Sequence, residues 1–280
     1  MKKVITLLSI VLVALSSCQN KAEKQAREKL SIAQAAYEKG NYKEAKQQID
    51  SIKILYPKAF DAREASQKLL MEVELKLQAD TLNKLDNLMA SEIAKYNQIK
   101  NNYLFEKDTA YQSMGQYIWP SQVIEKNTHR SFLRFQVNEQ GIMSFTSIYC
   151  GKKNIHHNSV KVTASDGTSA QTPSSKDSYE TSDLGEKIEK SDYQKGEDGK
   201  VIDFLYEKHN KNIRIDFYGD ETYTTSMTAS DRQALVEVYH LSEILYSIQK
   251  IKKAQEAANL KINFIYKKKE HDLKAKSSKE

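Results

Sequence analysis

Two hydrophobic periods divide the chain. From Glu64 to Lys107 there is neither proline nor glycine, and Leu75, Leu82, Leu85, Met89, Ile93, Tyr96, Ile99 and Tyr103 recur at steps of three, four and seven residues. Such spacing draws one apolar stripe along a single helix, roughly 65 Å long at about 1.5 Å per residue. A second stripe, Leu241, Ile244, Ile248, Ile251, Ala258, Ile262 and Ile265, runs toward Asp272 behind "ASDRQAL", where Ser230 and Gln233 fit a capping box. Helices this long are rarely stable alone in water. The pattern therefore predicts that 64–107 pairs antiparallel with 231–272 in a coiled-coil-like arrangement, with the intervening residues inserted at one end.

Within the insert, 111–229, the period shortens to two. "FLRFQV", "IMSFTSIYC", "SVKVTA", "VIDFLYE", "NIRIDFY" and "TYTTSM" read as short strands between turn-rich segments. Leu133, Phe135 and Val137 share one face, as do Ile213, Ile215 and Phe217, while Arg134, Gln136, Arg214 and Asp216 share the other. An antiparallel sheet with one wet face, or a small sandwich, follows. Residues 168–200, rich in Ser, Asp, Lys and Gly, show neither period and are expected to form a long mobile loop. The expected fold class is α+β: a helical hairpin, a long antiparallel helix pair and an inserted antiparallel β domain.

The hairpin is read from 26–59. In "AAYEKGNYKEAKQQIDSIKILYPKA", Tyr37, Gly40, Tyr42, Ala45, Ile49, Ile52, Leu55 and Pro57 fall at intervals that resemble a tetratricopeptide repeat. Gly40 and Asn41 suit the turn, Ala45 a close helix crossing, and Pro57 the end of the second helix. A lone repeat cannot bury its own face, so a neighbour must cover it. The remaining boundaries expected are a long helix over 60–110, a C-terminal helix over 230–272 and a basic tail over 273–280.

At the N-terminus, Lys2 and Lys3 precede an apolar run from Val4 to Leu15, then Ser16, Ser17 and Cys18. This is the layout of a secretory signal, and it is too short to span a bilayer. The four residues Leu15, Ser16, Ser17 and Cys18 resemble a bacterial lipobox. The resemblance implies cleavage after the signal peptide 1–17, acylation of Cys18, and a lipidated tether over 18–25. The lipid bilayer is then one partner, and another envelope protein the second. Gln19 lacks the aspartate that favours inner-membrane retention, which points to the outer membrane; the side faced stays open. The stretch from Phe132 to Pro173, with "SYETSDLGEKIE", is similar to a set of uncharacterised Bacteroidota proteins, implying an envelope setting and no activity.

Composition narrows the chemistry. The formal net charge is +6, and loss of the two signal lysines leaves +4, much of it in "YKKKEHDLKAKSSKE". Such a tail can meet anionic lipid or nucleic acid; an exported protein seldom meets the latter, so nucleic acid is not expected as a partner, and a solvated helix end is the simpler reading. With Cys18 acylated, only Cys150 remains, no internal disulfide is available, and Cys150 reads as a buried small hydrophobe. Phosphate loops, HExxH, CxxC, GxSxG and EF-hand patterns are missing from the sequence. His156 and His157 are adjacent and would face opposite ways on a strand, unable to chelate one ion. Neither enzyme activity nor a metal or cofactor is expected. Tyr117, Trp119, Tyr149 and Tyr218 form a candidate ligand surface for a glycan, against a plain packing role. The favoured function is a non-catalytic spacer or adaptor; the alternative is a glycan- or peptidoglycan-binding lipoprotein.

Overall fold

The computed structural model describes residues 21–107 and 113–277, and Cys18 lies outside them. The protein is mixed α plus β and divides into two units, Met1–Asn87 with Lys253–Glu280, and Leu88–Lys252. Helices α3 (Phe60–Ile99) and α5 (Ala229–Ser277) contribute to both. No helix among the described residues is long and apolar enough to cross a membrane.

The first unit is helical. Helix α1 (21–38) turns into α2 (Tyr42–Leu55) at Gly40, whose φ of +77° suits glycine. There the Asn41 N–H reaches Ala36 O (2.9 Å) and the Gly40 N–H reaches Tyr37 O (2.9 Å), the paired bonds of a Schellman motif. Ala33, Ala36, Ala45 and Ile49 pack against Leu69 and Val73 of α3, and Ala26 and Ile52 against Ala59 and Ala62. The alanines let these helices approach closely. The start of α3 is capped from α1, because Glu23 Oε1 accepts the Ala62 N–H at 2.9 Å. From α5, Lys269 pairs with Glu72, the Gln255 amide donates to Asp86 at 2.7 Å, and Ala258 and Ile265 are buried.

The second unit holds two antiparallel sheets. Strands β1 (Leu104–Glu106), β2 (Gln116–Ile118), β3 (Phe132–Asn138), β4 (Met143–Gly151), β7 (Ser178–Asp183) and β8 (Glu186–Gln194) form one, in the order β1-β2-β3-β4-β8-β7. Strands β5 (Ser159–Ala164), β6 (Ser169–Gln171), β9 (Ile213–Tyr218) and β10 (Thr222–Ser226) form the other, in the order β10-β9-β5-β6. Leu133, Phe135, Val137 and Phe145 share a core with Val160, Val162, Ile213, Ile215 and Phe217, and with Leu235, Val238 and Leu241 of α5. The alternation read in β3 and β9 is thus the inner face of each sheet. Gly141, at the β3–β4 turn, sits against α5: a Cβ there would lie 2.2 Å from the Tyr246 nitrogen.

Several boundaries differ from expectation. The first long helix begins at Phe60, the expected boundary and ahead of the apolar stripe, but stops at Ile99 short of 107 and 110; a short 3-10 turn, Lys100–Asn102, leads into β1. Tyr103 ends the helical stripe by turning its hydroxyl to Glu237 O (2.8 Å). Helix α5 starts at Ala229, so its box is Thr228 with Asp231, not Ser230 with Gln233: the Thr228 N–H donates to Asp231 Oδ2 and the Asp231 N–H to Thr228 Oγ1, both at 3.1 Å. The described part of the basic tail, 273–277, continues α5 as its solvated end. "VIDFLYE" is helix α4 (Val201–Glu207), its Ile202 N–H held by the buried Asp198 (2.7 Å). The 168–200 stretch is no mobile loop. It holds β6, β7 and β8, and β8 lies between β4 and β7. Its inward positions are Glu189, Ser191 and Tyr193, so polar composition concealed a strand whose core side is largely hydrogen-bonded.

Candidate functional site

Two places in the β unit bring chemistry-bearing side chains together. The first is sealed. Glu189 on β8 is 1% exposed, and three consecutive backbone N–H groups converge on its carboxylate: Ile155 (2.7 Å) and His156 (2.9 Å) on Oε1, and His157 (2.7 Å) on Oε2. Backbone donors in succession form an anion-binding nest, assisted here by the positive φ of His156 (53°). The His157 ring adds a fourth bond, Nδ1 to Glu189 Oε2 at 3.0 Å, and its Nε2 stands 2.8 Å from Ser147 Oγ. With the Nδ1 proton directed at the carboxylate, Nε2 accepts from the serine hydroxyl.

Serine, histidine and carboxylate thus stand in the order of a hydrolase triad. Their surroundings are those of a core. Ser147 and Glu189 are essentially buried, His157 is packed edge-on to Phe217 (5.3 Å between centroids), and Ser147 lies mid-ladder between β3 and β8. None of the five clefts formed by Ile124 with Phe132, Leu70 with Phe264, Ile49 with Arg63, Arg134 with Asp192, or Met71 with Leu273 is lined by any of the three. Burial pulls the His157 pKa below its ordinary value, against the Glu189 contact that pulls upward, so the ring stays neutral near pH 7. Burial pushes the Glu189 carboxyl up, but the His157 and His156 N–H groups, the His157 ring and the Ile155 N–H together hold it below the usual carboxylate range.

His156 points outward instead, with Nδ1 2.7 Å from Glu180 Oε1, and that contact raises its pKa. Glu180 lies directly across from Glu189 in the β7–β8 pair, and His156, Glu180 and Glu189 offer ligand atoms within 4.8 Å of one another. Each Glu189 oxygen already accepts two hydrogen bonds, which a cation would have to displace.

The second place is open: the outer face of the six-stranded sheet. Phe132, Ile148 and Ile188 form its apolar half together with Ile124 and Leu184, around a cavity of about 110 Å³. Arg134, Gln136, Thr146, Lys190 and Asp192 form the polar half beside a cleft of about 250 Å³. The covering segment after β2 is fixed by Gln122, whose buried amide donates to Leu133 O (3.0 Å) and accepts from the Phe135 N–H (2.6 Å) in place of a neighbouring strand. At the apolar rim, Cys150 Sγ donates to Glu186 Oε2 (3.1 Å), which also meets His129 Nδ1 (2.5 Å). Burial, then the hydrogen bond to the Glu186 carboxylate, push the thiol up to about 11, so it is protonated at neutral pH. Over this rim stands the β7–β8 turn, where Leu184 is 83% exposed at a φ of 47°. That backbone region suits Asn or Gly and strains leucine.

The four predicted aromatics are not gathered into one exposed array. Tyr149 is buried in the core, against Tyr223. Trp119 packs edge-on to Tyr103 (5.3 Å), and Tyr117 packs on Phe105 and hydrogen-bonds Tyr96 (2.7 Å). Tyr218 is half-buried at the end of β9, and no ring contact among the described residues joins the four. Sequence reasoning missed the outer cleft because its residues come from six separate segments; the one local signal was the hydrophobic Leu184 inside a turn, "SDLGE".

No family model, curated protein or solved structure matched the chain.

Proposed function

We propose that the protein is an acylated cell-envelope lipoprotein acting without chemistry, as a spacer or adaptor whose β unit presents the outer face of its six-stranded sheet to another envelope protein. The observation that carries the partner surface is the cleft itself: an apolar half, a polar half, and an exposed leucine held at its rim in a strained turn. Interfaces commonly combine an apolar centre with a polar rim. The non-catalytic reading is supported by the burial of Ser147, His157 and Glu189 and by the protonated state of Cys150. The anchor rests on the signal layout and the lipobox-like run ending in Cys18.

The helices fit the same reading. We infer that 26–59 is a tetratricopeptide-like hairpin, supported by the turn at Gly40 and by the burial of Ala45, Ile49 and Ile52, and covered by α3. We infer antiparallel pairing of α3 with α5 from register: Glu72 meets Lys269, and Asp86, further along α3, meets Gln255, earlier in α5.

A photo-crosslinking residue at Leu184 or Lys190, in the membrane-anchored protein in cells, should yield one discrete protein adduct, and the same residue at exposed Thr224 of the other sheet should not. Equal adducts at both faces, or none at the cleft, would overturn the surface. Replacing Cys18 with serine should abolish fatty-acid labelling and release the protein from membranes; retained labelling would overturn the anchor.

A further inference from the structure

In the helical unit, α5 turns its buried side, with Ala258 and Ile265, inward. Its opposite side is also patterned. Lys253, Ala257, Leu260, Phe264, Lys267 and His271 follow at alternating steps of four and three, so they form one line along the helix, and all are exposed. Leu260 is 70% and Phe264 68% exposed, and Lys261 and Lys268 flank them. Between Phe264 and Leu70 and Met71 of α3 runs an open apolar groove of about 490 Å³; on its rim Lys46 is paired with Glu74, which leaves Lys261 and Lys268 as its cationic edge on α5.

Two partners suit a line of this kind: a helix, or a lipid surface. A helical partner needs apolar residues sustained over three or more heptads. Here only Ala257, Leu260 and Phe264 are apolar, and the line is cationic at both ends. A short apolar centre among lysines is the composition of a surface that settles into the headgroup region, its rings and branched chains reaching the acyl boundary while lysines meet lipid phosphates. Position agrees. Glu23, near the first described residues of α1, caps α3 at Ala62, and Lys269 pairs with Glu72 further along α3, roughly 15 Å away at about 1.5 Å per residue. The lysine-rich part of α5 and the first described residues of α1 are thus at the same end of this unit.

We propose that the outward face of α5 around Leu260 and Phe264, with Lys261, Lys267 and Lys268, docks on an anionic lipid surface. The proposal rests on the reading of Cys18 as the anchor, to which it adds a second, electrostatic attachment. A single attachment holds a protein less securely than two independent ones.

The test uses the chain from residue 18 with Cys18→Ser, so that no acyl group contributes, in flotation with vesicles of phosphatidylcholine containing one third phosphatidylglycerol. The chain should float with these and not with pure phosphatidylcholine, and salt should release it. Lys267→Glu with Lys268→Glu should lower binding more than tenfold, since each lysine near an anionic surface is worth roughly a factor of five. Phe264→Ser should weaken it further with an unchanged circular dichroism spectrum. No flotation, equal flotation on neutral vesicles, or full binding by the double charge reversal would overturn the proposal. So would stoichiometric capture of an acidic amphipathic peptide without vesicle binding, which would assign the face to a protein. Failure of fatty-acid labelling is read separately, on the parent chain, and tests only the anchor.

Discussion

Replacing Glu189 with glutamine keeps the shape of the side chain and removes one acceptor from a site that uses two. In the protein, Oε1 serves the Ile155 and His156 N–H groups and Oε2 serves the His157 N–H and ring. A glutamine oxygen can keep the first pair. Its amide nitrogen then faces the His157 donors. The ring can answer by moving its proton to Nε2, because Ser147 Oγ can accept as well as donate. The backbone N–H of His157 cannot change, and it is left buried without an acceptor. One orphaned buried donor costs about 1–3 kcal/mol. The bonds that remain change from charge-assisted to neutral, each losing about 1 kcal/mol, which brings the total to roughly 3–5 kcal/mol. Trp119 is the only tryptophan, lies in the β unit and packs on Tyr103, so its fluorescence reports this unit during urea unfolding. With a slope of about 2 kcal/mol per molar urea, the midpoint should fall by roughly 1.5–2.5 M. Glu180→Gln, directly across the strand pair and exposed, is the control and should change stability by about 0.5 kcal/mol or less. Equal shifts for the two variants would refute the nest as the source of the stability.

Acid should weaken the same unit: His157 and Glu189 both hold pKa values below their ordinary 6.5 and 4.5, so the unfolded chain takes up protons first. With His156, whose raised pKa acts in the opposite sense, replaced by glutamine, stability is therefore intact above about pH 6.5 and falls below it, by up to about 1.4 kcal/mol per pH unit for each group titrating only when unfolded; a Trp119-monitored midpoint that stays flat from pH 7 to pH 5 would contradict this. Cys150, with its thiol near 11, should react with iodoacetamide at pH 7.5 about a hundredfold more slowly than an ordinary thiol, and Glu186→Gln should speed it; fast labelling of the parent would show the thiol is not held protonated. Leu184→Asn should stabilise the β unit by about 0.5–1 kcal/mol by relieving the left-handed backbone strain, yet reduce crosslinking from Lys190; an unchanged adduct would remove the leucine from the docking surface.

The sequence was most informative where apolar residues alone decide burial. β3, β5 and β9 were readable because Leu133, Phe135, Val162, Ile215 and their neighbours alternate with polar residues. β8 was not, because the groups facing inward include Glu189 and Ser191, which satisfy each other's neighbourhood by hydrogen bonding rather than by hydrophobicity. Helix α4 was misread because four apolar residues in a seven-residue element fit either period, and its decisive feature is the Asp198 side chain before it. The candidate sites were hidden for a further reason. Ser147, His157 and Glu189 come from a strand, a connecting segment and a distant strand, and the register of β4 with β8 is what brings them together.

That register has a consequence for how the sheet finds its pairing. A strand with a strongly apolar side is aligned by the penalty for turning that side to water. β8 has little such side to lose. Slipping it by one residue against β4 would carry Ile188, Lys190 and Asp192 inward, setting a lysine ammonium where three N–H groups already point. Like partial charges would meet in a dry interior. The carboxylate of Glu189 therefore serves as an address along the strand, selecting one alignment among several that hydrophobic content would leave nearly equal.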